Sequence, residues 1–331
     1  MPGDDLPRMI VFAGPNGSGK STITKSWSEE PGFPKDGYIN ADEIAKGMEK
    51  QYPDYQERNF RAANIAEEHR KLALDSGKPF AFETVMSTPG KLAQFDEARN
   101  KGFSVDLVFV TTEHSQINKQ RVTNRVADGG HGVDGAKIVE RYERAMDLLP
   151  AAVEKANTAT IYDNSGREPI VVAKKLENGK MVYPQGENTP DWVKERLQTP
   201  LEARDASRAN IDRELHARAP GAEVRAADIS AGHEYRGRVA LMTSQHVLQH
   251  VSGPNFVLHD RSLTPAVDFA KAQKDPGFPE VNVSYKFGAD GKHPPVAPEA
   301  VQAQGQQQAQ QQAPSGQAPG QEPTQTPRSK L

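Results

Sequence analysis

The 331-residue chain has no cysteine. Disulfide scaffolds, cysteine-ligated zinc, iron–sulfur clusters and thiol nucleophiles are therefore excluded. No apolar run approaches the roughly 20 residues that a membrane helix needs, so a membrane-spanning protein is not expected. The N-terminus carries Asp4 and Asp5 rather than a basic segment ahead of an apolar one. A secretory signal is not expected there, and a cytoplasmic protein is. Charge of one sign is also scarce: the net value is −3 at pH 7. That gives no global attraction to nucleic acid or anionic membrane. What is present is enough apolar material for a core, 36% of residues, in a length that suits two domains.

Three textures follow one another. From residue 8 to about 198, short apolar runs alternate with amphipathic stretches. The runs are Met9–Ala13, Gly37–Ile39, Pro79–Phe82, Val105–Thr111 and Thr158–Tyr162. Helical patterns lie between them at Ala62–Asp75, Lys91–Lys101, His114–Val126 and Lys137–Asn157. This alternation predicts an α/β fold, a parallel sheet flanked by helices. Ile170–Lys174 and Met181–Tyr183 flank Asn178-Gly179, a hairpin signal. Asp191–Leu197 reads as a closing helix, and residues 199–222 as a charged helical linker. Short β-like runs at Arg238–Met242, Phe256–His259 and Val281–Phe287 then predict a small β-rich domain over 223–289. Basic and acidic residues balance there, ten of each over 201–275, so it lacks a cationic footprint. Residues 290–331 are rich in Gln, Pro and Ala. With eleven glutamines between Gln302 and Gln325 and no aromatic residue, this tail is expected to be disordered.

The strongest motif is Gly14-Pro15-Asn16-Gly17-Ser18-Gly19-Lys20-Ser21-Thr22, which fits G-x-x-x-x-G-K-[ST] between a buried strand and a helix. Glycines let backbone N–H groups turn toward phosphate oxygens, and the helix N-terminus favours an anion. Lys20 is expected to reach the β- and γ-phosphates of ATP, and the Ser21 hydroxyl to coordinate Mg²⁺. In an empty loop Lys20 is expected to be exposed. Asp42 and Glu83 follow the second and third strands, at the sheet edge that carries this loop. Phosphoryl transfer needs a carboxylate to take the proton of the attacking hydroxyl, and Asp42 suits that role. Glu83 suits substrate or metal. Capping or first-turn charge is the plain alternative for Asp42, and a solvated strand end for Glu83.

Lys119, Arg121, Arg125, Lys137, Arg141 and Arg144 flank the break Asp128-Gly129-Gly130-His131-Gly132. Two helices with a tip between them can close over a nucleotide, with His131 at the tip and arginines on the moving phosphoryl group. An ion-paired, solvated hairpin is the alternative. His246 and His250, at helical i, i+4 spacing, could hold a metal with His259, although ordinary packing histidines explain them as well.

The loop, Tyr38-Ile39-Asn40-Ala41-Asp42-Glu43-Ile44, Phe80-Ala81-Phe82-Glu83-Thr84, Arg121–His131, Arg141-Tyr142-Glu143-Arg144 and Tyr162-Asp163-Asn164-Ser165 together resemble the zeta-toxin-like P-loop kinases. The resemblance covers about residues 8–175. It implies ATP-dependent phosphorylation of UDP-N-acetylglucosamine at its 3′-hydroxyl, in a toxin held in check by a small antitoxin protein. It implies Lys20 and Ser21 in the phosphate loop, Asp42 as general base, Glu83 with Thr84 at the substrate, and Arg121, Arg125 and Arg141 on phosphate. The family segment Glu-Gly-Thr-x-Arg reads Glu83-Thr84-Val85-Met86-Ser87 here, without its arginine. Residues 234–285 resemble the small KfrB-type domain of plasmid-encoded proteins. Two other readings use the same residues. One is a plasmid maintenance or transfer factor with a nucleotide switch, which has no need of Asp42. The other is a benign nucleoside or metabolite kinase.

Overall fold

A computed structural model describes residues 6–127, 132–230, 232–264, 280–287 and 291–292. The tail 293–331, His131 and the lid tip 128–130 lie outside the described residues.

The first sheet is built on the apolar runs Met9–Ala13 and Leu107–Val110. Strand β1 (Arg8–Ala13) lies between β3 (Phe80–Thr84) and β4 (Ser104–Thr111), parallel to both. Strands buried on both faces carry such runs because helices cover each side. Alternate residues of β1 serve opposite faces. Met9 and Val11 pack with Leu92, Phe95 and Leu149, whereas Ile10 and Phe12 pack with Ile23. With β2 (Tyr38–Ile39) and β5 (Thr158–Asp163) the five parallel strands run in the order β2-β3-β1-β4-β5. The hairpin signal is met. Strands β6 (Ile170–Lys175) and β7 (Met181–Val182) are antiparallel, and Gly179 takes φ +81° in the turn between them.

The helices are α1 (Lys20–Trp27), α2 (Ala41–Gly47), α3 (Tyr55–Ser76), α4 (Pro89–Asn100), α5 (Ser115–Ala127) and α6 (Gly135–Lys155). The closing helix does not end at Leu197. A single turn, α7 (Asp191–Val193), passes through a π turn at Lys194–Gln198 directly into α8 (Thr199–Arg218). Pro200 falls in the first turn of α8, where a missing N–H is tolerated, and the wider π turn ahead of it keeps the chain helical.

The second sheet has five strands in the order β12-β9-β10-β11-β8. These are β8 (Glu223–Ala226), β9 (Glu234–Met242), β10 (His246–Ser252), β11 (Asn255–Asp260) and β12 (Val281–Ser284). Ile211 and Leu215 of α8 pack on Leu248, Phe256 and Leu258. Ala227, Ile229, Tyr235 and Val247 belong to the same buried cluster as Met9 and Leu92, so one core runs between the two sheets. His246 and His250 lie on strand β10, not on a helix. Their partners are Ser207 Oγ and the Gly253 carbonyl, and His259 is bonded to Tyr285 and Gln249. The three are packing histidines, and no group of three or more metal-binding side chains occurs among the described residues.

Candidate active site

The phosphate loop follows β1 without a spacer. Gly14 takes φ +141°, and a Cβ there would stand 1.9 Å from the Val110 carbonyl. Gly19 takes φ +91°, and its Cβ would meet Asn164 Nδ2 at 2.2 Å. Only glycine lets the loop pass so close to its neighbours. Gly19 also precedes α1 as its N-cap. No side chain caps that helix, and its first turn holds no acid. The positive end of α1 is thus left for an anion.

Two asparagines brace the loop from outside. Asn118 Nδ2 donates to the Asn16 carbonyl at 2.8 Å, and Asn164 Nδ2 to the Ser18 carbonyl at 2.8 Å. Arg141 reaches Asn16 Oδ1 at 3.4 Å. The Ser18 hydroxyl is buried and has no hydrogen-bond partner among the described residues.

Lys20 is not exposed. It is half-buried, and its Nζ donates to the Gly14 and Pro15 carbonyls at 2.7 and 2.9 Å. Without a phosphate in reach, the ammonium curls onto the loop that would present one. Burial lowers its pKa to about 8. Glu83 and Asp42 oppose that shift, and Arg125 adds to it.

The acids stand where the strand register puts them. Ile39 pairs with Phe82 and Phe12 with Glu83, so both acids reach the edge that carries the loop. Asp42 is exposed in the first turn of α2. It is not the cap, because Asn40 Oδ1 accepts from the Asp42 N–H at 2.9 Å and does that work. Glu83 is half-buried and is the hub. Its Oε2 accepts from the Ser21 hydroxyl at 3.2 Å, and its Oε1 from the Tyr38 hydroxyl at 2.8 Å. Asn40 Nδ2 in turn donates to Tyr38 Oη at 2.8 Å. Burial, followed by the charge of Glu83, holds the Tyr38 phenol well above its usual range.

Sequence reasoning named neither Tyr38 nor the two bracing asparagines as site residues. Tyr38 and Asn164 sit inside motifs it had singled out, but Asn118 looks like an ordinary polar residue of α5.

Lys20, Ser21, Thr22, Asp42, Glu83, Thr84, Arg121 and Arg125 line one cleft of about 410 Å³. Arg141 is not in it. It lines a neighbouring cleft of about 590 Å³ with Lys91, Lys137 and Arg144, and Thr84 and Val85 belong to both. Arg144 on α6 donates Nε to the Ser87 carbonyl at 3.1 Å. An arginine from another element therefore stands against the segment that lacks one of its own. That segment is strained: Met86, fully buried, holds φ +53°, a conformation rare outside glycine.

Residues 9–148 match the AAA domain family. An uncharacterized protein of Haemophilus influenzae is 27% identical over 135 residues, 41% of this chain and 92% of that protein. Among solved structures, the AvrRxo1-ORF1:-ORF2 complex with ATP is 13% identical at TM-score 0.45, over 55% of this chain and 62% of that one. The chain thus spans less than two thirds of that relative's length. The PezAT chromosomal toxin–antitoxin system of Streptococcus pneumoniae is 20% identical at TM-score 0.38, covering 59% and 78% of the two chains. A gluconokinase from Sinorhizobium meliloti is 16% identical at TM-score 0.31, covering 48% and 83%. The family match and the loop geometry agree on a nucleotide-binding P-loop domain in residues 9–148.

Proposed function

We propose that the protein is an ATP-dependent kinase that phosphorylates a hydroxyl of a small anionic metabolite. The observation that carries this reading is the single cleft holding Lys20, Ser21, Asp42 and Glu83 with Arg121 and Arg125. A switch that only binds nucleotide has no use for a solvent-facing carboxylate beside the phosphate loop.

The backbone of Gly14–Thr22 and the N-terminus of α1 hold the β- and γ-phosphates, with Pro15, Asn16, Gly17, Ser18 and Gly19 forming the cradle. Lys20 leaves the Gly14 and Pro15 carbonyls for the phosphate oxygens. Asp42 takes the proton of the acceptor hydroxyl as its oxygen bonds to the γ-phosphorus. The bond from that phosphorus to the β–γ bridging oxygen breaks, and ADP leaves with the electron pair. Arg121 and Arg125 offset the charge of the transferring group, and Arg141 reaches the loop from the neighbouring cleft through Asn16. Hydroxyl and carboxylate oxygens suit Mg²⁺, and Ser21 with the adjacent Glu83 would hold it, where it neutralises phosphate charge.

The acceptor enters through the neighbouring basic cleft, and Thr84 lies between acceptor and nucleotide. Lys91, Lys137, Arg141 and Arg144 favour an anion there. UDP-N-acetylglucosamine, the substrate of the kinases the chain resembles, fits that charge, and Arg144 supplies a cation where Ser87 replaces the family's arginine. On this reading the protein is the toxin of a toxin–antitoxin pair, with an antitoxin obstructing the nucleotide cleft. The KfrB-like second sheet serves location or partner choice.

The test is incubation with ATP, Mg²⁺ and a panel of UDP-sugars and nucleosides, followed by mass spectrometry. A phosphorylated product that disappears with Lys20→Ala and with Asp42→Asn is expected. ATP binding without transfer to any member of the panel would favour the switch.

A further inference from the structure

The tip of β5 touches the phosphate loop without lining the nucleotide cleft. Asn164 Nδ2 donates to the Ser18 carbonyl at 2.8 Å, and a Cβ on Gly19 would meet that same nitrogen at 2.2 Å. The loop has no room to move toward Asn164, and the hydrogen bond resists its moving away. Where the loop stands is therefore tied to where Asn164 stands.

Asn164 is held through its neighbours. Its own N–H donates to the Thr111 carbonyl at 2.8 Å. Asp163 Oδ1 accepts from the N–H and the hydroxyl of Ser165, at 2.8 and 2.5 Å, and Ser165 Oγ accepts from the Glu113 N–H at 2.7 Å. Asp163 Oδ2 accepts from the indole Nε1–H of Trp192 at 2.8 Å, its one donor among the described residues. Asp163 and Trp192 are each 6% exposed. A buried carboxylate oxygen without a donor is costly, so the indole fixes how the Asp163 carboxylate lies, and with it the turn that presents Asn164. Trp192 is itself anchored: α7 carries it into the core, in the same buried cluster as Ile161, Val193 and Leu197.

A buried tryptophan usually finds some acceptor for its N–H. Here the acceptor belongs to the residue next to the one that braces the loop, and the connection runs unbroken from α7 to Ser18. We propose that Trp192 is a positioning residue of the nucleotide loop, acting through Asp163 and Asn164. By linkage, a nucleotide that shifts the loop must shift the Trp192 bond in return. This rests on the nucleotide loop alone and survives if the kinase reading fails.

The test uses the full chain with ADP and Mg²⁺. The chain has two tryptophans, so NMR sees two indole N–H resonances, and Trp27→Phe identifies the one from Trp192. That resonance should move on saturation with ADP in the native protein. It should stay in place in Asn164→Ala, where the link to Ser18 is cut. Trp192→Phe keeps an aromatic ring and drops the N–H. Its ADP affinity by calorimetry should fall about tenfold, the scale of one hydrogen bond to a charged group. Asn164→Ala should weaken ADP by a similar factor, and the double variant no further than Asn164→Ala alone, because both act on one link.

A role in packing alone gives the reverse: native affinity in folded Trp192→Phe, or losses that multiply in the double variant. Either result overturns the proposal. So does a Trp192 resonance that ignores bound ADP, or one that still moves without Asn164. If Trp192→Phe does not fold, the resonance in the native and Asn164→Ala proteins decides. Failure of ADP to bind the native chain would overturn the nucleotide loop itself, and the proposal with it.

Discussion

The hydroxyl of Ser21 donates to Glu83 Oε2 across 3.2 Å, so the phosphate loop is tied to the tip of the next strand before any nucleotide arrives. Nucleotide with its cation must compete for that hydroxyl, and the same carboxylate raises the pKa of Lys20 against burial.

Binding of ATP should therefore depend on pH in a way that reports Lys20. Its pKa is about 8 in the empty loop, and phosphate contact raises it. ATP affinity should fall as pH climbs through about 8, with uptake of one proton on binding above that value. Glu83→Gln removes a charge that raises the pKa, so the midpoint should move to lower pH. Lys20→Ala should abolish the dependence, leave the fold intact by circular dichroism, and cost at least about 100-fold in transfer. Calorimetry in buffers of different ionisation enthalpy measures the proton count. A flat profile between pH 7 and 9 in the native protein would refute this account.

Asp42 and Asn40 should separate catalysis from capping. Asp42→Asn should keep ATP binding and stability while transfer falls by roughly 10²–10⁴-fold, the usual scale for a lost general base. Asn40→Ala should cost about 1 kcal/mol of stability, because Asn40 caps α2. Denaturant melts and turnover on the same samples check both. Equal loss of stability in the two variants would return Asp42 to a structural role.

Arg144→Ala should raise the KM for an anionic acceptor by about tenfold and leave the KM for ATP unchanged. Arg144 touches the Ser87 segment and lines only the second cleft. Steady-state kinetics with each substrate varied in turn decides it. A change in both KM values would mean that the clefts do not divide the substrates.

Acid should loosen the second sheet. His259 is fully buried. It donates Nε2–H to Gln249 Oε1 at 3.0 Å and accepts from the Tyr285 hydroxyl at 2.8 Å, a set that fits the neutral ring. Burial lowers the pKa of His259 to about 4, and His246 lies near the same value. Between about pH 4 and 6.5 the unfolded chain binds these protons and the folded chain does not. Stability from both groups is complete above 6.5 and is lost as pH falls through that window, on the order of 3 kcal/mol each at full development. NMR titration should show two imidazoles that stay neutral until near pH 4. Titration of both near 6.5 would remove the effect.

A chain ending at Gln198 should melt at a lower temperature than the full protein. Leu197 and Leu201 are buried in the core that both sheets share. Every residue of the candidate site, Asn164 included, precedes residue 165, so the shortened chain should retain transfer per folded molecule. Melting curves and active-site titration check the two statements. Full stability without residues 199–331 would show that the shared core contributes little.

Much of this was legible in the sequence. Runs such as Met9–Ala13 carry their burial in their composition, and G-x-x-x-x-G-K-[ST] carries its chemistry in its spacing. Asp42 and Glu83 were legible because strand ends in a parallel sheet share an edge. Three things were not. Lys20 folds back on the loop because an unsatisfied ammonium takes the nearest carbonyls, which no motif encodes. Arg144 meets Ser87 through tertiary contact across 57 positions. The shared core depends on how α8 docks, and its residues look like those of any charged helix.

The run from Asp191 to Arg218 has a consequence for the angular phase of everything beyond it. An α-helix turns about 100° per residue. One residue inserted after Gln198 would swing Arg204 away from both Glu154 and Asp260 and turn Ile211 and Leu215 off the second sheet. Three or four inserted residues would restore the direction at the cost of about one turn of rise. The stretch behaves as an indexed shaft: homologues or chimaeras can vary its sequence freely on the solvent side, but its length only in steps of whole turns.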